Sequence, residues 1–304
     1  MTSKQGVNVL VAGVAVVDFV FRVETMPDRA EKYRALDAAV VGGGCAASAA
    51  VAVSRLGGHA RLAARIGSDR IGAIIRTDLE AEGVDCHLLR SFENMRSPYA
   101  SVLVDNQGER RIVSFRDPDM PAGASWLEAE IGDKFDVALA DTRWPAGNLA
   151  VMAAARRLSR PGVVDAEPPT GPAMDVLRAA SHIAFSALGL RDLTGRDDVA
   201  AALQEANRLT GAWVCVTDGP RGVTWLDGGK ARTVMPPGVE VVDTLGAGDA
   251  WHGAFALALG EGRGELGAIE FANTVASLKC TRFGGRAGIP TRAEVDVFLA
   301  GQPA

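Results

Sequence analysis

The chain has 304 residues, 48% of them apolar and 23% charged, enough to bury a substantial core without disulfides. A formal charge of −5 and the lack of Lys/Arg blocks argue against nucleic acid or an anionic membrane as the main partner, and no uninterrupted apolar run reaches membrane length. These properties predict a globular, cytoplasmic protein.

The N-terminal segment MTSKQGVNVLVAGVAVVDFVF is interrupted by Asp18 and lacks a small-residue cleavage site, so it reads as a first strand and not as a signal peptide. VNVLVAGV is followed by a helical pattern over 46–56, the strand ARLAARIG and a helix over 70–82. Later strands are FDVALAD, GVVDAE, HIAFSA and AWVCVTD, with Ala/Leu helices between them. The alternation predicts an α/β fold, a mainly parallel sheet flanked by helices. Residues 19–40 and roughly 96–116 differ: VFRVETM, YRALDAAV, YASVLVDN and RRIVSFR look like exposed or half-buried antiparallel strands, with Asn106-Gln107-Gly108 as a hairpin turn. They predict a small sheet, a lid, inserted in a single domain over 1–304. PPTGP and MPPG read as loops.

Cys45, Cys86, Cys215 and Cys280 are far apart, with no C-x-x-C pair and no His at ligand spacing, and read as reduced, mostly buried thiols. His59, His87, His182 and His252 are equally scattered; His252 reads as a helix-surface or pocket-edge residue.

The run Asp243-Thr244-Leu245-Gly246-Ala247-Gly248-Asp249 precedes a small-residue apolar stretch from Ala250 to Leu259. Glycines on both sides of Ala247 let backbone amides face outward where the next helix places its positive dipole end, a place that attracts anions. A bound phosphate would repel the carboxylate of Asp249, so a carboxylate there suggests work on a proton. Two readings stand on the residues alone: a phosphate cradle carrying its own base, or an ordinary helix start in which Asp249 complements the dipole.

This run, standing as DTLGAGDAW, resembles the C-terminal signature of the ribokinase-like, or PfkB, carbohydrate kinases, with Trp251 in place of the usual Phe. The resemblance extends over nearly the whole chain through GVAVVD (Gly13 to Asp18), GGGCAAS and RLGG, in the family's order. Within the family, VVGGGCAASAAVAVSRLGG, ALADTRW and LKCTRFGGRAGIP are similar to 6-deoxy-6-sulfofructose kinases.

The resemblance implies that Asp249 takes the proton of a sugar hydroxyl attacking the γ-phosphorus of ATP, while the amides of Gly246, Ala247 and Gly248 stabilise the transferring phosphoryl group. It implies that Asp18 binds sugar hydroxyls, that Gly43 and Gly44 approach the sugar, and that Ser48 stands where the family often has Asn. Thr217, Gly219, Gly222, Asn273 and Gly285 fall in segments that bind nucleotide. Asp243 and Leu245 would hold a monovalent cation such as K+ through their carbonyls. Mg2+ is implied with ATP, and Asp165 or Glu167 could order its water; the family's Asn-x-x-Glu is replaced by Ser186 to Gly189. Lys32 and Arg143 match sulfonate-binding positions, and Ser114, with Arg116 nearby, a third. The implied activity is ATP-dependent phosphorylation of a ketose primary hydroxyl, foremost O1 of 6-deoxy-6-sulfofructose. The alternatives are another sugar of the family (fructose, 2-keto-3-deoxygluconate, ribose) and a non-catalytic sugar-binding protein. The lids of this family pair, which implies a homodimer.

Overall fold

A computed structural model describes residues 6–107 and 109–301; Gly108, the last residue of the expected hairpin turn, lies outside them. The strands are β1 (Asn8–Gly13), β2 (Val16–Arg22), β3 (Asp37–Gly43), β4 (His59–Gly67), β5 (Leu89–Phe92), β6 (Tyr99–Val104), β7 (Arg110–Phe115), β8 (Val137–Ala140), β9 (Gly162–Ala166), β10 (His182–Ser186), β11 (Trp213–Thr217), β12 (Val223–Asp227) and β13 (Lys230–Val234). The helices are α1 (Cys45–Arg55), α2 (Arg70–Ala81), α3 (Ser125–Glu130), α4 (Pro145–Arg157), α5 (Met174–Ala179), α6 (Ala187–Thr194), α7 (Val199–Thr210), α8 (Ala247–Gly260), α9 (Gly264–Cys280) and α10 (Arg292–Ala300).

Nine strands form the large sheet in the order β13-β12-β11-β10-β9-β8-β1-β4-β5. From β5 to β11 every neighbouring pair is parallel, and β12 and β13 close one edge as an antiparallel hairpin. Because helices cover both faces, β1 and β8 read as unbroken apolar runs; Val9 to Ala12 are at most 1% exposed. On one face pack α1, α8 and α9, on the other α4, α5 and α7, each with its own apolar core.

Small residues bring α1 and α8 together. A Cβ at Gly253 would stand 2.4 Å from the Ala49 carbonyl oxygen, so the two backbones meet where a larger side chain could not fit. That approach fixes the first turns of both helices, and hence Cys45 and Asp249, relative to one another.

The expected lid strands form a separate four-stranded sheet, β3-β2-β6-β7. Its outer pairs are antiparallel as expected, but the central pair, β2 with β6, is parallel. Between them the chain passes through β4 and β5 of the large sheet and returns in its original direction.

The N-terminal run is also not one strand. It breaks at Val14 and Ala15, where the Asp141 carboxylate accepts from the Val14 N–H at 2.8 Å, and the chain crosses to the small sheet. Asp18, expected to follow the first strand, therefore lies inside β2, directly across from Val41 and from Ala100, which pairs in turn with Ser114.

Candidate active site

The glycine run forms the entry to α8. Gly246 has φ of 75°, the left-handed conformation that glycine adopts at low cost, and serves as N-cap; Asp249 lies in the first helical turn. The preceding loop is organised by the Asp243 carboxylate, which accepts from the N–H groups of Leu245 (2.9 Å), Gly284 (3.1 Å) and Gly285 (3.2 Å). Burial alone would raise its pKa, but these donors and the nearby Lys279 ammonium hold it below the ordinary carboxylate value.

Lys279 bears on the monovalent cation. Its side chain is 0% exposed, and Nζ donates to the Asp243 carbonyl oxygen at 2.8 Å while standing 3.4 Å from Oδ2. One of the two carbonyls expected to hold K+ thus already accepts from a built-in ammonium. Gly285, expected beside the nucleotide, spends its N–H on Asp243.

Asp249 is half-buried, and burial, with the charge of Asp165 next in weight, raises its pKa to about 7 against the opposing pull of His252 and Arg286. Asp165, at the end of β9, is buried and is held well above the ordinary carboxylate value by burial and then by Glu167. His252 is no surface residue: α8 is enclosed on all sides from Ala250 to Ala258, and the imidazole is 3% exposed. Its Nδ1 lies 2.7 Å from the Gly248 carbonyl and its Nε2 3.3 Å from that of Ala184.

On the side expected to hold sugar, Gly43 allows the Asp18 carboxylate to lie against its backbone, since a Cβ there would be 2.2 Å from Asp18 Oδ2. Burial raises the pKa of Asp18, opposed by Arg286. Sequence reading passed over Arg286. Its Nη2 donates to the Gly43 carbonyl at 2.9 Å and its Nη1 to Asp78 of α2 at 2.8 Å, and its guanidinium acts on both Asp18 and Asp249. Gly44, with φ of 90°, caps α1, and Ser48 is buried one turn further on.

Four of the five residues expected beside the nucleotide converge, and Gly285 does not join them. Thr217, Gly219, Gly222 and Asn273 line a cavity of about 470 Å³ together with Ala247, Gly248 and Trp251. Asn273 uses its amide internally, accepting from Trp251 Nε1 at 2.9 Å and donating to the Val234 carbonyl at 3.3 Å, so it shapes the wall. The missing Asn-x-x-Glu has a structural reason. Ser186 caps α6 by accepting from Gly189 N–H, and a Cβ at Gly189 would stand 2.0 Å from the Ala166 carbonyl oxygen.

The basic residues divide. Arg116 and Arg143 line a second cavity, of about 130 Å³, together with Arg65, Arg96 and the turn residues Gly13 and Val14. Lys32 is exposed in the connection from β2 to β3 and is not part of that lining. Arg143 donates to the Pro168 carbonyl at 2.6 Å, and Arg65 donates to that of Pro121 at 2.6 Å and lies over the Trp144 ring. Burial lowers the Arg65 pKa to about 10. Asp141 ties this cavity to the rest, since one carboxylate receives the N–H groups of both Val14 and Arg143. Ser114 lies in register with Asp18 across β6, two strand spacings or about 10 Å away. Arg65 is the one new cation with a local sign, a charge inside the apolar strand HARLAARIG.

Comparison with known proteins accords with this arrangement. Residues 7–292 match the pfkB family of carbohydrate kinases. The chain is 29% identical to a ribokinase of Bacillus subtilis over 96% of its own length and 99% of that protein's. It is 26% identical to a fructokinase of Vibrio alginolyticus, covering 96% and 99%. A candidate ribokinase of Agrobacterium tumefaciens of known structure superposes with a TM-score of 0.91 at 37% identity, covering 97% of this chain and 98% of that one.

Proposed function

The chain belongs to the pfkB family of carbohydrate kinases and is an ATP-dependent sugar kinase; on that premise we propose that it phosphorylates the primary hydroxyl of a ketose bearing an anionic group at its far end, foremost O1 of 6-deoxy-6-sulfofructose. The observation that carries this reading is the cavity lined by Arg65, Arg96, Arg116 and Arg143 beside the turn that leads to Asp18. Guanidinium forks match the oxygens of a sulfonate or phosphate; Asp117, also in the lining, pairs with Arg96 at 3.4 Å, which leaves Arg65, Arg116 and Arg143 as the excess positive charge of the cavity. Lys32 adds to this set only by movement of its loop.

In this reading Asp18 accepts from sugar hydroxyls and Asp249 accepts the proton of the attacking hydroxyl. A base with a pKa near 7 is stronger than an ordinary carboxylate and still largely ionised slightly above neutrality. The amides of Gly246 and Gly248 would face the oxygens that gain charge, while that of Ala247 already donates to the Thr244 carbonyl at 3.2 Å, and Arg286, between Asp18 and Asp249, keeps the two carboxylates from repelling each other. Mg2+ would enter with ATP and neutralise its phosphates. Asp165 and Glu167 suit ordering its water, because Asp165 keeps one buried oxygen, Oδ1, without a hydrogen-bond partner. The Lys279 ammonium takes the place of a monovalent cation. The lid face carrying Phe19, Val40, Tyr99 and Val113 would pair with a second copy; Val40 is 58% and Val113 75% exposed.

The test is kcat/KM with Mg-ATP across sulfofructose, fructose, fructose 6-phosphate, ribose and 2-keto-3-deoxygluconate, with KCl exchanged for tetramethylammonium chloride in one arm. Sulfofructose is expected to lead, to lose its advantage in Arg143→Ala, and to be turned over equally in both salts. A neutral sugar preferred over sulfofructose would defeat the substrate assignment, and fructose 6-phosphate in the lead would transfer it to a phosphorylated ketose.

A further inference from the structure

The close approach of α1 and α8 leaves a group of side chains that phosphoryl transfer does not fully use. Cys45, the first residue of α1, offers its Sγ to the same space as the carboxylates of Asp165 and Asp249, and the three ligand atoms lie within 4.8 Å of one another. Asp165 has a side chain only 7% exposed, and its Oδ1 has no hydrogen-bond partner. The nearest nitrogen, His252 Nε2, is 3.5 Å away and closer to the Ala184 carbonyl, at 3.3 Å. A buried carboxylate oxygen facing a second carboxylate without a donor is costly, and a cation between them removes the cost.

The thiol decides which cation. Mg2+ binds hard oxygen ligands and keeps its water, whereas a thiolate beside two carboxylates favours Zn2+ and ions like it. One such ion needs sulfur at about 2.3 Å and oxygens at about 2.0–2.2 Å, so the three ligand atoms, now within 4.8 Å of one another, would draw together around it. We propose that Cys45, Asp165 and Asp249 form an inhibitory site for a thiophilic divalent cation of the Zn2+ class. Binding exchanges the Cys45 thiol proton, and the proton carried by either carboxyl group, for the metal, releases these protons to solvent, and leaves a fourth position for water. It also occupies the Asp249 oxygen that would receive the sugar proton, so the metal-bound form does not turn over sugar. That last step rests on Asp249 being the kinase base; binding itself does not.

Cobalt(II) added to the metal-stripped full chain tests the binding. Expected are visible bands of a four-coordinate ion and a near-ultraviolet thiolate-to-cobalt band, both lost on adding Zn2+ and both absent in Cys45→Ser, which keeps the other three cysteines. In assays at saturating Mg-ATP, Zn2+ should inhibit the wild type reversibly, and Cys45→Ser should resist by about tenfold or more with basal turnover retained. Cys45→Ala, checked for folding by circular dichroism, repeats the comparison should the serine variant not fold. A thiolate band that persists without Cys45, or equal Zn2+ sensitivity in wild type and both variants, overturns the site. A Cys45-dependent band in a protein that turns over no sugar would uphold the site and reject the kinase base.

Discussion

Asp249 and Gly248 are one residue apart and can be tested independently. Since burial and Asp165 raise the Asp249 pKa to about 7, the base is protonated below that value and kcat/KM should climb tenfold per pH unit up to about 7, then level. Asp165→Asn removes the neighbouring charge, lowers the Asp249 pKa and should move the rise to lower pH; a rise centred near 4 in the wild type would show Asp249 to be an ordinary carboxylate. Asp249→Asn should cut kcat by about 10²–10⁴-fold. Gly248 asks a separate question. A Cβ built there meets nothing within 4 Å, and the residue lines the cavity proposed for the nucleotide. Gly248→Ala should leave the melting temperature unchanged and reduce turnover, because the methyl group protrudes only into the space assigned to phosphate. Unimpaired turnover in that variant would reject the cradle.

At the level of elements, Arg286 joins three pieces of chain: the turn after α9 that carries it, Gly43 at the end of β3, and Asp78 on α2. Arg286→Ala leaves the Gly43 carbonyl without its donor and Asp18 and Asp249 without a shared cation. It should cost about 1–3 kcal/mol of stability, measured by urea titration, and raise the KM for sugar more than it lowers kcat. Arg286→Lys keeps the charge but cannot reach both partners at once, so it should recover kcat without recovering KM. Equal effects on all parameters in both variants would reduce Arg286 to a packing role.

Arg286 also shows what the sequence could and could not convey. The entry to α8 was legible because its parts are contiguous: a left-handed glycine and a carboxylate in the first helical turn. The alternation of strands and helices was legible because short β-rich apolar runs alternate with longer Ala/Leu stretches. The break between β1 and β2 was not, because the group that pins it, Asp141, is supplied by the end of β8. Neither was the parallel pairing of β2 with β6, which depends on where the chain travels in between. The four arginines come from β4, from the segment before β6, from the end of β7 and from the turn after β8, so no single stretch of sequence brings them together.

At the scale of the whole molecule, the small sheet has two unlike faces. The pairs Asp18 with Ala100 and Val20 with Val102 lie on the face turned to the interior, where Val20 is 7% and Val102 1% exposed. The opposite face pairs Phe19 with Val40 and with Ser101, and Ser101 with Val113. There Phe19, Tyr99 and Phe115 form a contiguous aromatic row, with ring centroids 6.2 and 5.4 Å apart, flanked by Val40 and Val113. The Phe19 end of this row packs against the apolar core of the chain itself, whereas Val40 and Val113 are 58% and 75% exposed, and the face of a second copy is an apolar surface of matching kind for that remainder. If a second copy covers it, Val113→Glu places a charge in the covered face, and sedimentation should show the chain changing from dimer to monomer. Because Asp18 and Ser114 lie on the reverse of the same four strands, the monomer should also bind sugar more weakly, with the KM for ATP nearly unchanged. A wild type that sediments as a monomer throughout the micromolar range would leave the aromatic row without a partner and end the dimer assignment.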